Sequence, residues 1–221
     1  MFRNLYSVHD KLRIVAFDPG VNLGATALDF DTRTGVFKVL NAMTLNLSRF
    51  VPSEDDDDKR EKVIERLDVV KAFVADYTRS WQPHLLAHET AYVPHKGGGA
   101  SIYSFASLVE NIITIKFGIK QAMKDARIFE VNPTTMKISI VGYKSPDKTL
   151  VLKALIEDPK IDLSLINTAK LNQHNADAIG IGVTAVRDNI TIKIIDGIEV
   201  FHLRGKSSGT KKSSRIKRTG K

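Results

Sequence analysis

What most constrains this chain is the order of its periodicities: three closely spaced β-type segments, followed by helices that alternate with single strands. Leu12 to Phe17 is a short apolar run that stops at Asp18-Pro19-Gly20, a strong turn signal. Gly24 to Phe30 alternates small and apolar residues, Asp31 to Gly35 reads as a hairpin turn, and Val36 to Met43 reads as a third strand. Between Asp57 and Thr78 the apolar residues Val63, Ile64, Leu67, Val70, Phe73, Val74 and Tyr77 fall at helical spacing. His84 to His88 follows as a fourth strand, introduced by Pro83 and ended by Glu89. Tyr92 to Gly99, with Pro94 and three successive glycines, reads as a loop, and Ser101 to Lys124 as a long helix. Arg127 to Val131 is a fifth strand ending at Asn132-Pro133, followed by short helices over Thr134 to Ile140 and from Pro146 to about Glu157. Gln173 to Arg187 is a last helix rich in small residues, and Ile190 to Leu203 suits a terminal hairpin turning near Asp196-Gly197. This order predicts an α/β fold: a mixed five-stranded sheet flanked by helices, with a β-rich C-terminal extension.

Composition sets the limits. Of 221 residues, 43% are hydrophobic, enough for one sizeable core, and no apolar run approaches the roughly 18 residues of a membrane span. There is no cysteine, which excludes a disulfide scaffold, a thiol nucleophile and cysteine-ligated zinc or iron–sulfur sites. His9, Asp10, Lys11 and Arg13 interrupt any apolar stretch near the start, so the chain reads as soluble and cytoplasmic, without a membrane partner. The formal net charge of +8 is concentrated at one end. Eight of the 33 Lys and Arg lie in residues 204–221, which hold no acid, so the other 25 cations balance the 25 acids of residues 1–203. Residues 1–203 therefore read as one folded domain, and residues 204–221 as a basic, disordered tail. Lys211, Lys212 and Arg215 are its candidate contacts to a phosphate backbone; a plain solubility tail is the alternative. The acidic block from Glu54 to Asp58 reads as a solvated loop.

Acids stand where elements end. Asp18 closes the first strand, Glu89 closes the fourth, and Asp177 lies on the last helix three residues after His174, hence on the same helix face. If the first and fourth strands are neighbours, Asp18 and Glu89 lie side by side, and the last helix packed across that end brings Asp177 and His174 to the same place. Three carboxylates so gathered repel one another unless cations intervene, and hard oxygen donors select Mg2+ or Mn2+. Two such ions about 4 Å apart would activate a water and stabilise a leaving oxygen in phosphodiester cleavage. Taken singly, each acid has an ordinary reading as a turn, a solvated strand end or a surface helix residue; the joint pattern points to chemistry.

That pattern resembles the RNase H-like superfamily and, within it, the RuvC-type Holliday junction resolvases. The matching residues are Phe17-Asp18-Pro19-Gly20 with Leu23-Gly24, His88-Glu89, and His174-Asn175-Ala176-Asp177-Ala178. Asn132-Pro133, Lys137, Gly142, Lys144 and Lys148 are similar to the family's Pro-x-x-x-Lys…Gly…Lys stretch. The resemblance covers roughly Leu12 to Arg187. It implies that Asp18, Glu89 and Asp177 are catalytic and hold two Mg2+ ions, with Mn2+ able to substitute. It further implies that Lys137, Lys144 and Lys148 meet DNA phosphate. His174 stands where many members carry a fourth carboxylate, which implies a metal ligand or a proton-transfer group there. Tyr92, three positions after Glu89, matches an aromatic that stacks at the opened junction centre. The β-rich end and basic tail depart from the compact bacterial enzymes and look more like phage, viral or organellar relatives.

A four-way junction needs two symmetric nicks, so a subunit with one site is expected to work as a homodimer. The resemblance places much of that contact on the helix after Glu89. Other readings of the same residues are an RNase H, a flap or branch nuclease, a non-catalytic junction-binding protein, and a sugar-kinase or actin-like ATPase. The last needs a second phosphate-binding glycine loop, for which Gly97-Gly98-Gly99 is the one candidate.

Overall fold

A computed structural model of the chain describes residues 10–52, 58–91, 102–143, 149–195 and 198–203, and the side chains of these apart from 102–104 and 190–203. Strands β1 (Lys11–Asp18), β2 (Asn22–Asp31) and β3 (Phe37–Asn46) form an antiparallel meander. Its second turn is held by Asp31, whose Oδ1 accepts from the backbone N–H of Arg33 and Thr34 at 2.9 Å each, and Gly35 supplies the left-handed φ of 69°. Next come α1 (Lys59–Trp81), β4 (Leu85–Glu89), α2 (Ile102–Ala122), β5 (Ile128–Val131), α3 (Pro133–Val141) and α4 (Thr149–Glu157). The chain continues with β6 (Ile161–Asp162) and α5 (Gln173–Asn189), then β7 (Ile190–Ile195) and β8 (Ile198–Leu203).

The central sheet has the order β5-β4-β1-β2-β3-β6, and β2 is the one strand of it that runs against the rest. The expected neighbours, the first and fourth strands, pair in parallel. A sixth strand corrects the expected five: Ile161 and Asp162 pair with Phe37 and Lys38, a contact too short to leave any periodicity in the sequence. The terminal hairpin forms as expected, as a separate two-stranded sheet of β7 and β8.

Strand β1 is buried on both faces, which is why it reads as a continuous apolar run. Ile14 and Ala16 join the core under α3, α4 and α5, while Val15 and Phe17 join the core under α1 and α2. Ile115 and Ile119 of α2 and Val70 and Val74 of α1 fill the second core, as their spacing predicts. No helix among the described residues is long and apolar enough to cross a membrane.

Candidate active site

The site is built first by strand register. In β1 and β4 the pairs run from Ile14 with Leu85 to Phe17 with His88, so the next residues, Asp18 and Glu89, stand together at the end of the sheet. Side chains alternate along a strand, and Asp18 keeps the parity of Ile14 and Ala16 as Glu89 keeps that of Leu85 and Ala87. Both acids thus belong to the face that α5 covers. The Asp18 side chain is only 11% exposed.

The start of α5 is tied to the same edge. Asn172 and Asn175 cap it reciprocally: the Asn172 N–H donates to Asn175 Oδ1 at 2.8 Å and the Asn175 N–H to Asn172 Oδ1 at 3.1 Å. Thr44 of β3 donates its hydroxyl to Asn172 Oδ1 at 3.0 Å, anchoring the cap to the sheet. Gly24 of β2 lets the His174 backbone carbonyl lie directly on the strand, in space that any Cβ would occupy. His174 Nδ1 then lies 3.4 Å from Asp18 Oδ2, and His174 Nε2 lies 3.4 Å from the side-chain amide of Asn22.

One turn further along α5, Asp177 is half-buried, close enough to Asp18 for their charges to act on each other. Its carboxyl is pushed up to about 6, first by burial and then by the negative charge of Asp18. The Gln173 amide, the Lys137 ammonium and His174 pull the other way. Lys137 reaches this place because α3 starts at a defined point and packs closely on α5. Asn132 Oδ1 accepts from the Thr134 N–H at 2.9 Å with Pro133 in the first turn, and Gly180 leaves room for Met136. A Cβ on Gly180 would stand 2.8 Å from Met136 Sδ.

Among the described residues no group of three or more His, Asp or Glu side chains closes into a metal-holding cluster. The electrostatics nevertheless suit a cation. Two acids so placed that each raises the cost of ionising the other, with an imidazole beside them, offer hard oxygens and one nitrogen, the donor types that a divalent ion of the magnesium or manganese kind would take. His88 has a different part. It is fully buried on the α2 side, its Nδ1 bonds the Glu89 carbonyl oxygen at 2.8 Å, and burial holds its pKa low, so a neutral ring braces the strand end that carries Glu89.

No family model matches the sequence, and no curated protein matches it either. Solved structures do match. RuvC of Thermus thermophilus superposes with a TM-score of 0.57 at 17% identity, covering 78% of this chain and 92% of that one. The same enzyme in complex with a Holliday junction substrate gives 0.57 at 16% identity, with the same coverage. The yeast mitochondrial Holliday junction resolvase Ydc2 gives 0.54 at 17% identity, over 82% of this chain and 80% of that one. The fold is that of RuvC.

On this RuvC fold the chain brings Asp18, His174 and Asp177 to one edge, sets Lys137 where its charge acts on Asp177, and leaves Glu89 at the end of the adjoining strand. Tyr92, Lys144, Lys148, Lys211, Lys212 and Arg215 lie outside the described residues, as do the acidic block from 54 to 57, the glycine loop and residues 204–221. Sequence reasoning missed Asn22, the Asn172–Asn175 cap and Gly180. The cap had a readable signal, an Asn just ahead of a helical segment. Asn22 had none, because its partner His174 is 152 positions away.

Proposed function

We propose that this chain is a cytoplasmic, structure-specific endodeoxyribonuclease that resolves four-way DNA junctions by paired symmetric nicks, using two divalent metal ions. One observation carries the reading: on a RuvC fold, the buried Asp18 and the half-buried Asp177 act on each other at one edge of the sheet, with His174 3.4 Å from Asp18. A structure of that fold bound to a Holliday junction substrate supports the choice of DNA over other phosphodiesters. Asp18, Glu89, His174 and Asp177 would hold Mg2+ or Mn2+. When bound, such ions supply activation of the attacking water and neutralisation of the leaving oxygen.

The chain's own residues do the rest. The two short parallel strand ends hold Asp18 and Glu89 in fixed register, and the capped start of α5 delivers His174 and Asp177 onto them. Lys137, with Lys144 and Lys148, neutralises phosphate charge near the cut. Tyr92 stacks on a base at the branch point. Two copies meet through α2, where Ile113 and Phe117, one turn apart, are 48% and 62% exposed. Residues 1–203 form the nuclease unit, and residues 204–221 hold the DNA backbone through charge.

The test is a denaturing-gel assay on labelled four-way junction, duplex, flap and RNA–DNA hybrid, with Mg2+, Mn2+ or EDTA. The expected result is a pair of symmetric nicks on the junction, lost in EDTA and in Asp177→Asn, while junction binding by that variant persists. Preferential cutting of hybrid or flap would move the substrate, and undiminished cutting by Asp177→Asn would remove the metal centre.

A further inference from the structure

Between the site and the first turn of the sheet lies a side chain that no part of the reading above uses. Asn22 opens β2, four residues past the end of β1, and shares the parity of Gly24, so it faces α5 from beside Asp18. Its amide nitrogen Nδ2 lies 3.4 Å from His174 Nε2, the arrangement of a ring protonated on Nδ1, while His174 Nδ1 lies 3.4 Å from Asp18 Oδ2. The His174 backbone is pinned on Gly24. The ring therefore has a polar neighbour at each nitrogen, both at long hydrogen-bond distance: a carboxylate on one side and an amide on the other.

An imidazole that ligates a metal must offer a lone pair at the ligating nitrogen and carry its proton on the other, where a hydrogen-bond acceptor fixes it. The nitrogen that faces Asp18 is Nδ1, so in the metal-bound state the proton belongs on Nε2, and a half-turn of the Asn22 amide puts its oxygen there to accept it. Amide oxygen and nitrogen are interchangeable by a half-turn of the side chain. With Nδ1–H donating to Asp18, the amide nitrogen donates to Nε2; with Nδ1 committed to an ion, the amide oxygen accepts from Nε2–H. Asparagine serves both states. It also adds no charge beside Asp18 and Asp177, whose mutual repulsion already lifts the Asp177 carboxyl.

We propose that Asn22 is a positioning residue of the metal centre: its amide oxygen accepts the Nε2 proton of His174 and turns the Nδ1 lone pair toward the ion held with Asp18. The inference rests on the metal-dependent reading above and deepens it.

The experiment needs no DNA and no turnover. Mn2+ binding is measured by electron paramagnetic resonance on the wild type, Asn22→Ala, Asn22→Asp, His174→Ala and the Asn22→Ala/His174→Ala double variant. Long-range proton–nitrogen correlation spectra of the Mg2+-loaded protein report which His174 nitrogen carries the proton. Asn22→Ala is expected to weaken Mn2+ binding by about tenfold or more and to mix the tautomers, the size usual for the partner of a metal-bound histidine. Asn22→Asp keeps an acceptor and should restore the wild-type tautomer, while its added charge beside Asp18 and Asp177 should bring Mn2+ binding to at least the wild-type level. The double variant should bind no worse than His174→Ala, since Asn22 acts through that ring. All variants should melt close to the wild type, because Asn22 is only half-buried. Wild-type affinity and tautomer in Asn22→Ala, or an Nδ1–H ring in the loaded wild type, overturns the role of Asn22 and leaves the metal centre standing. A wild type that binds no divalent ion overturns both.

Discussion

Asp177 is a carboxylate kept where a carboxylate is expensive. Burial and the charge of Asp18 lift it from 3.8 to about 6, so in the metal-free protein its native-state affinity for a proton exceeds that of the unfolded chain. The sign follows. The stabilisation from that proton is complete below about pH 4 and is lost as the pH rises through about 6. The gap corresponds to roughly 3 kcal/mol at most. Metal-free wild type is therefore expected to lose about 1–3 kcal/mol between pH 4 and pH 7.5 on this account, and Asp177→Asn to lose less by that amount. Urea unfolding of both proteins at the two pH values checks it; parallel losses would mean that Asp177 is not strained. A cation placed between Asp18 and Asp177 would relieve the same strain. His174 sets how far relief can go without one. Its ring already leans on Asp18 at 3.4 Å, a contact too long to neutralise a second acid.

At the scale of elements, the sequence carried the pieces and the register joined them. Asp18-Pro19-Gly20 ends β1 because the turn residues leave no strand to continue, and Glu89 ends β4, so two acids at strand ends were legible from composition alone. That they lie side by side depends on β1 pairing with β4 in parallel, which periodicity cannot report. The two-residue β6 and the close approach of α3 to α5 at Gly180 were equally out of reach, since each is set by a partner distant in sequence. Helix α2 shows the opposite case. Ile112, Ile115 and Ile119 are buried on its core face, Phe105 and Leu108 on the same spacing are only half-buried, and Ile113 and Phe117 remain largely exposed. Arg66 of α1 is buried against this helix and reaches Glu110 at 3.3 Å, so α2 is held to the body while that second face stays open. If the face joins two copies, Phe117→Glu should yield monomers by light scattering and should turn paired nicking into single nicks that accumulate. A Phe117→Glu protein with unchanged mass would put the two-fold axis elsewhere.

Taken as a whole, the molecule separates attraction from chemistry. Residues 1–203 carry as many acids as cations, and the site within them is a concentration of carboxylates. A neutral body that presents a negative edge has no long-range pull on a polyanion, and its field near Asp18 opposes approach. Lys137 offsets this locally by acting on Asp177, but one ammonium does not steer a DNA duplex. The eight cations of residues 204–221, with no acid among them, hold the whole of the chain's excess charge. On the proposed function they neutralise backbone phosphates, and each phosphate so covered contributes a slope of about −0.9 to the dependence of log affinity on log salt. Removing residues 204–221 should therefore weaken junction binding at low salt and flatten its salt dependence by several such increments. The nick positions should be unchanged once the DNA is saturated, because they depend on the sheet edge and α5 rather than on the tail. Fluorescence anisotropy of labelled junction across a salt series measures the slope, and cleavage at saturating protein measures the rest. An unchanged slope would mean that attraction comes from the folded body, against its charge balance. A flattened slope with displaced nicks would mean that the tail also sets where the enzyme sits on the branch.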